Sequence, residues 1–122
     1  MKNPVNWFEI PVTDMDRAKA FYEKVFNIEF SMVESPNSVM AMFPSNMEEF
    51  GAAGCLDFSD YSQPSDSGVT VYFSCENLND ELGRAKNLGA EILVPRTSIG
   101  EHGFFAHFKD TEGNRIALHS LK

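Results

Sequence analysis

The feature that most restricts the fold is a strand–cap–helix pattern that occurs twice, sixty-three positions apart. Residues 5–13, VNWFEIPVT, place Phe8, Ile10 and Val12 on one parity and Trp7, Glu9 and Pro11 on the other. Period two predicts a strand, with Pro11 near its end or at an edge. The segment TDMDRAKAFYEKVFN follows. Thr13 and Asp16 have capping-box spacing, with Asp replacing the preferred Glu, and Asp14 is an equally good N-cap. Met15, Ala18, Phe21, Tyr22, Val25 and Phe26 then fall on one helical face. In the second copy, GVTVYFSCE (68–76) sets Val69, Val71, Phe73 and Cys75 against Thr70, Tyr72 and Ser74. NLNDELGRAKNLG continues as a helix capped by Asn77, with Leu78, Leu82, Ala85 and Leu88 at helical spacing. Gly89 stands where a left-handed C-cap glycine belongs.

Weaker strand material follows each helix: 28–33, 38–43 and 51–58 in the first half, 90–95, 103–108 and 114–120 in the second. Each half therefore reads β-α-β-β-β. The expected fold class is α+β, a single domain over 1–122. Module one covers about 1–57, module two about 68–122, and DFSDYSQPSDSG between them is a surface linker. Two copies imply pseudo-symmetry rather than a solenoid.

A chain of 122 residues suits one core. Its net charge of −8 repels phosphate backbones, so nucleic acid is not an expected partner. No apolar run reaches the ~20 residues of a membrane span, and MKNPVNWFEI lacks a signal-peptide core. Cys55 and Cys75 have no CxxC spacing. They read as reduced, buried thiols of a cytoplasmic protein. Eleven Phe residues must fill a core or line a cavity.

Two motifs, IPVTDMDRAKAFY after the first strand and DTEGNRIAL near the end, resemble the vicinal oxygen chelate superfamily of glyoxalases, bleomycin-resistance proteins, fosfomycin-resistance enzymes and extradiol dioxygenases. The resemblance covers essentially the whole chain. It implies two βαβββ modules whose curled mixed sheets surround a shared cavity, with helices outside. Parity agrees: Phe8, Ile10, Val12, Val71, Phe73 and Cys75 go under the helices, while Trp7, Glu9, Thr70 and Tyr72 face the cavity. Ile116 and Leu118 sort from Ala117 and His119 in the same way. Metal-using members take ligands from the first and last strands of each module. The resemblance maps those slots onto Trp7, Thr70, Ala117 and Gly54, with Cys55 as the off-register alternative to Gly54. An indole, a hydroxyl, a methyl and a glycine are poor ligands for a divalent ion.

Glu9, His107 and His119 are the remaining inward candidates, as polar wall residues, as an acid–base pair (Glu9 and His119), or as ligands of a relocated divalent metal. The facing of His107 depends on strand register. Glu9 also serves as an anion for a cationic group or as a partner of His119 or Tyr72. Trp7 is a stacking surface or a plug in the vacated slot, and Tyr72 is a donor on an aromatic platform. Phe104, Phe105 and Phe108 line the cavity or fill the core, according to register. His102 reads as a loop residue. PSNMEEFGA (44–52) is a candidate flap, and GAAGC (51–55) lacks the Lys and helix of a phosphate loop. The leading expectation is a cofactor-free, homodimeric small-molecule-binding protein that holds an aromatic or cationic compound among Trp7, Glu9, Thr70, Tyr72, His107 and His119. The alternative is a glyoxalase-type lyase or isomerase.

Overall fold

The computed structural model of the chain describes residues 3–46 and 48–122. Module one runs β1 (Trp7–Pro11), α1 (Met15–Phe26), β2 (Ser31–Ser35), β3 (Ser38–Met42) and β4 (Ala53–Ser59). Module two runs β5 (Val71–Ser74), α2 (Leu78–Asn87), β6 (Ile92–Ser98), β7 (Phe104–Lys109) and β8 (Arg115–Ser120). Each module makes a four-stranded mixed sheet, in the orders β1-β4-β3-β2 and β5-β8-β7-β6. The helix after each first strand forces that strand to pair in parallel with the last one of its module, and the other pairs are antiparallel. The sheets do not join, so the shared cavity of the family pattern takes the form of an open cleft.

Asp14, not Thr13, caps α1: its carboxylate accepts from Arg17 N at 3.0 Å. Thr13 is otherwise engaged, because its N–H and hydroxyl both donate to Glu112 Oε1. Asn77 caps α2 by accepting from Asn79 N. After α2, Gly89 takes a φ of +91°, a conformation that stops the helix where the sequence placed the stop.

The helices cover one face of the sheets, and the core lies between. Ile10, Val12, Ala18, Tyr22, Val25 and Leu56 from module one pack with Phe108 and Ile116 from module two. A chain of aromatic rings binds the modules: Phe73 meets Phe26 at 4.5 Å, Phe43 at 5.5 Å and Phe8 at 5.7 Å between centroids. Phe21 reaches Phe108 at 5.9 Å.

A polar clasp completes the union. The turn after β7 carries Asp110, Glu112 and Asn114, and all three reach across to module one. Glu112 Oε1 accepts from the backbone N–H groups of Thr13 and Asp14, each at 2.8 Å. Its other oxygen accepts from Arg17 Nε at 2.7 Å. The buried Tyr22 hydroxyl donates to Asp110 at 2.6 Å, and the Asn114 amide donates to the Pro11 carbonyl at 2.8 Å. Burial alone would raise the Glu112 pKa, but the Arg17 hydrogen bond and the Asp14, Thr13 and Thr111 donors outweigh it and hold the group at about 2.

Candidate functional site

Strand alternation puts Phe8 and Ile10 under the helices and leaves Trp7 and Glu9 on the open face of the first sheet. β5 repeats this, with Phe73 packed inward and Tyr72 exposed. β1 and β5 are the edge strands of their sheets, and between them opens a cleft of about 850 Å³. Trp7, Glu9, Thr70 and Tyr72 all line it. Thr70 lies just ahead of β5 rather than within it. Phe26, Phe43 and Phe73 also contribute to its lining, and Val5, Phe50 and Val69 stand exposed where they line it.

Glu81, from the first turn of α2, also lines the cleft, and its Oε1 is buried with no hydrogen-bond partner. Sequence reasoning missed this residue. It stands three residues after Leu78 and four before Ala85, on the apolar stripe of α2, and a carboxylate inside that stripe is the signal that could have found it. Of the segment 44–52, Pro44, Phe50, Gly51 and Ala52 line the cleft, whereas Met47 lies outside the described residues. The two ends of the candidate flap thus contribute to the wall of the cleft, while Ser45, Asn46, Glu48 and Glu49 are not among its lining residues.

Trp7 is partly exposed and does not plug the site; its indole N–H donates to Glu9 Oε2 at 3.2 Å. Glu9 therefore has Trp7 as its partner, and not His119 or Tyr72. His119 is on the open face of the second sheet, paired with Ser74 and Phe105. Its Nε2 donates to the His102 carbonyl at 2.7 Å. His119 is not among the residues that line the cleft, and no hydrogen bond joins it to Glu9. The two halves of the expected acid–base pair are thus held by other partners. Among the described residues, no three His, Cys, Asp or Glu side chains come together as a metal-sized group.

Register resolves the slots. Phe8 pairs with Gly54 and Glu9 with Cys55, so Gly54 shares the core face with Phe8 and Cys55 shares the open face with Glu9. A methyl group on Gly54 would sit 2.5 Å from the Phe8 ring, which is why the position is glycine. The repeat offset therefore misplaced the slot by one residue, and the off-register alternative, Cys55, occupies it. Its thiol is pushed up to about 12 by burial first, then by the Glu9 and Asp57 carboxylates. Cys75 is likewise raised to about 12, by burial and then by Glu81.

At the second-module slot, Ala117 is fully buried, with Tyr72 and His107 as its direct neighbours on either side. Across it the Tyr72 hydroxyl and His107 Nε2 meet at 3.0 Å. His107 thus faces the open side, which sequence alone left undecided. Its other ring nitrogen lies 2.9 Å from Arg115 Nη1. Burial, then the Arg115 charge, lowers the His107 pKa from 6.5. The same register splits the phenylalanines: Phe105 stands beside His107 on the open face, while Phe108 is buried in the core. Phe104 packs against the second core cluster under the Arg96 guanidinium, 3.9 Å from its centroid.

Two βαβββ modules with an aromatic, acidic cleft between their first strands define a vicinal-oxygen-chelate type of protein. The sequence profile of the Glyoxalase/Bleomycin resistance protein/Dioxygenase superfamily matches residues 5–118, and the chain belongs to that superfamily. A glyoxylase-like domain-containing protein from Didymella fabae is 30% identical over 118 residues, which cover 93% of this chain and 91% of the relative. Among solved structures, a glyoxylase/bleomycin resistance protein/dioxygenase domain from Frankia sp. EAN1pec superposes with a TM-score of 0.75 at 16% identity, covering 98% of both chains. TnmS3, an antibiotic-binding protein from Streptomyces sp. CB03234, superposes with a TM-score of 0.68 at 19% identity, covering 97% of this chain and 95% of its own. At such identities the likeness establishes the fold. No helix among the described residues is long and apolar enough to cross a membrane.

Proposed function

We propose that the chain binds a cationic aromatic small molecule in the β1/β5 cleft and acts by sequestration or delivery in the cytoplasm. One observation carries this reading. The cleft combines aromatic walls with two carboxylates, Glu9 and Glu81, and among the described residues no Lys, Arg or His lines it. An aromatic wall attracts a cation through ring quadrupoles, and a carboxylate adds a direct partner. Glu9 is exposed on this wall and offers an acceptor to an ammonium or an N–H group, while Glu81, 3.7 Å from Arg84, adds negative charge to the lining. The antibiotic-binding relative, TnmS3, makes a ligand-holding role reasonable for this fold.

The family's metal slots speak against a metal here. Trp7, Thr70 and Ala117 offer no strong ligand for a divalent ion, and a single thiol at Cys55 does not make a site. Glyoxalase-type acid–base chemistry by Glu9 and His119 gains no support from their separate partners.

A matched pair of probes tests the reading. N-methylquinolinium and 1-methylnaphthalene share shape and differ in charge. The single Trp of the chain gives one indole N–H resonance, and it lies in the cleft. The cation is expected to shift that resonance with about tenfold tighter binding than the neutral probe, and Glu9→Gln plus Glu81→Gln should remove most of the preference. Equal binding of both probes would sink the cationic reading, and no binding of either would sink the cleft as a ligand site.

A homodimer belongs to this proposal. All five residues of β2 are exposed at the edge of its sheet, Met32 and Val33 among them. An open, partly apolar edge without lysine or proline is a surface on which a second copy can pair. Sedimentation equilibrium should give twice the 13.7 kDa chain mass, and Val33→Lys should shift it towards monomer. A monomer at high concentration would dismiss the idea.

A further inference from the structure

We infer that Tyr72 is a one-way hydrogen-bond donor to the bound molecule, so that the cleft selects ligands carrying an acceptor oxygen, such as an aryl carbonyl, beside their aromatic ring. The inference rests on the cleft being the ligand site. It follows from the direction of a three-residue hydrogen-bond chain.

The chain begins at Arg115. A guanidinium has only donors, so Arg115 Nη1, at 2.9 Å from His107 Nδ1, must donate to that nitrogen. The Arg115 side chain is anchored from behind, because its Nε donates to the Asp66 carbonyl at 3.2 Å. His107 Nδ1 must then carry a lone pair. Proton uptake there would set an N–H against a guanidinium, and burial opposes the charge as well. The neutral ring therefore keeps its one hydrogen on Nε2. That N–H donates to the Tyr72 oxygen 3.0 Å away.

The polarity of Tyr72 is now fixed. Its oxygen has received a hydrogen from His107, and its own O–H has no acceptor among the described residues. Tyr72 is half-exposed and lines the cleft, and its hydroxyl stands over Ala117 on the open face of the second sheet, so this hydrogen is offered to a ligand that extends from the cleft onto that face. The reverse arrangement, with Tyr72 donating to Nε2, would need a hydrogen on Nδ1 facing the Arg115 donor. Ala117 makes the bridge possible: a larger side chain between its two register neighbours would stand in the path of the tyrosine. His107 and Arg115 are positioning residues, and Tyr72 is the one that touches the ligand.

The test uses two cations that differ at one atom position: 3-acetyl-N,N,N-trimethylanilinium, with C=O, and its 3-isopropenyl counterpart, with C=CH₂. Titration of the Trp7 indole resonance gives both affinities. The acetyl probe should bind about fivefold tighter to the wild type, the size of one net hydrogen bond. Tyr72→Phe should bring the ratio to one. Arg115→Gln should lower the ratio although Tyr72 is intact, because the imidazole can then take either tautomer. Independently of any ligand, the ¹⁵N shifts of His107 should show a bare Nδ1 and a protonated Nε2. An Nδ1–H tautomer in the wild type overturns the inference, as does a preference that survives Tyr72→Phe. If neither probe moves the Trp7 signal, the cleft itself is not the ligand site and both proposals fall together.

Discussion

Glu112→Gln is expected to lower the stability of the chain by about 3 kcal/mol at pH 7, the scale of losing one charged partner from a buried network. The side chain of Glu112 is fully enclosed, whereas that of Arg17 is half open to solvent. The effect therefore comes mainly from the backbone donors. An amide nitrogen in place of one oxygen leaves the N–H groups of Thr13 and Asp14, or Arg17 Nε, facing a donor. The pH dependence has a definite sign. A folded-state value of about 2 lies below the ordinary 4.5, so the contribution is complete above about 4.5 and is lost as pH falls from there through about 2. Urea unfolding of both proteins between pH 7 and pH 2.5 checks this. The gap between wild type and variant should shrink below pH 4.5. A gap that stays constant across that range would mean that the carboxylate charge does not hold the modules together.

This clasp shows what sequence could and could not reveal. DTEGNRIAL is visible as a motif, and it serves as evidence of kinship. Its physical task is to bind the N-terminus of α1 from about a hundred residues away, and no local pattern encodes a contact of that range. The capping choice has the same origin. Thr13 and Asp14 are equally good caps by local rules, and Asp14 holds the role while Thr13 is engaged by Glu112. Periodicity, in contrast, is local. The alternation of β1 and β5 correctly sends Phe8 and Phe73 inward and Trp7, Glu9 and Tyr72 outward. Register is the intermediate case. The repeat offset of sixty-three aligns the first strands of the modules but points to Gly54 in β4, where pairing gives Cys55. Glu9 and its partner Cys55 are 46 positions apart, whereas Tyr72 and its partner Ala117 are 45 apart, and an offset taken from the first strand cannot see that difference. The partners of Glu9, His107 and His119 needed coordinates for the same reason.

Phe73→Ala is expected to cost about 3–4 kcal/mol, from lost transfer energy, a residual cavity and broken aromatic pairing. Phe73 belongs to module two, yet its ring neighbours Phe8, Tyr22, Phe26 and Phe43 all belong to module one. Removing the ring therefore weakens the union of the modules more than it weakens either sheet. Phe58 supplies the control, since it lies exposed on β4 and its truncation should cost less than about 1 kcal/mol. The same ring also lines the cleft, so the variant should open an apolar hole next to the binding space. An apolar hole of this kind takes up benzene, and a ligand that binds only the folded state raises the melting temperature. Saturating benzene should thus recover part of the lost stability in Phe73→Ala while changing the wild type little. Equal losses in Phe73→Ala and Phe58→Ala would show that the ring stack does not join the modules. A large loss without benzene rescue would show that the walls collapse when the ring is gone. The cleft would then owe its shape, as well as its lining, to this one side chain.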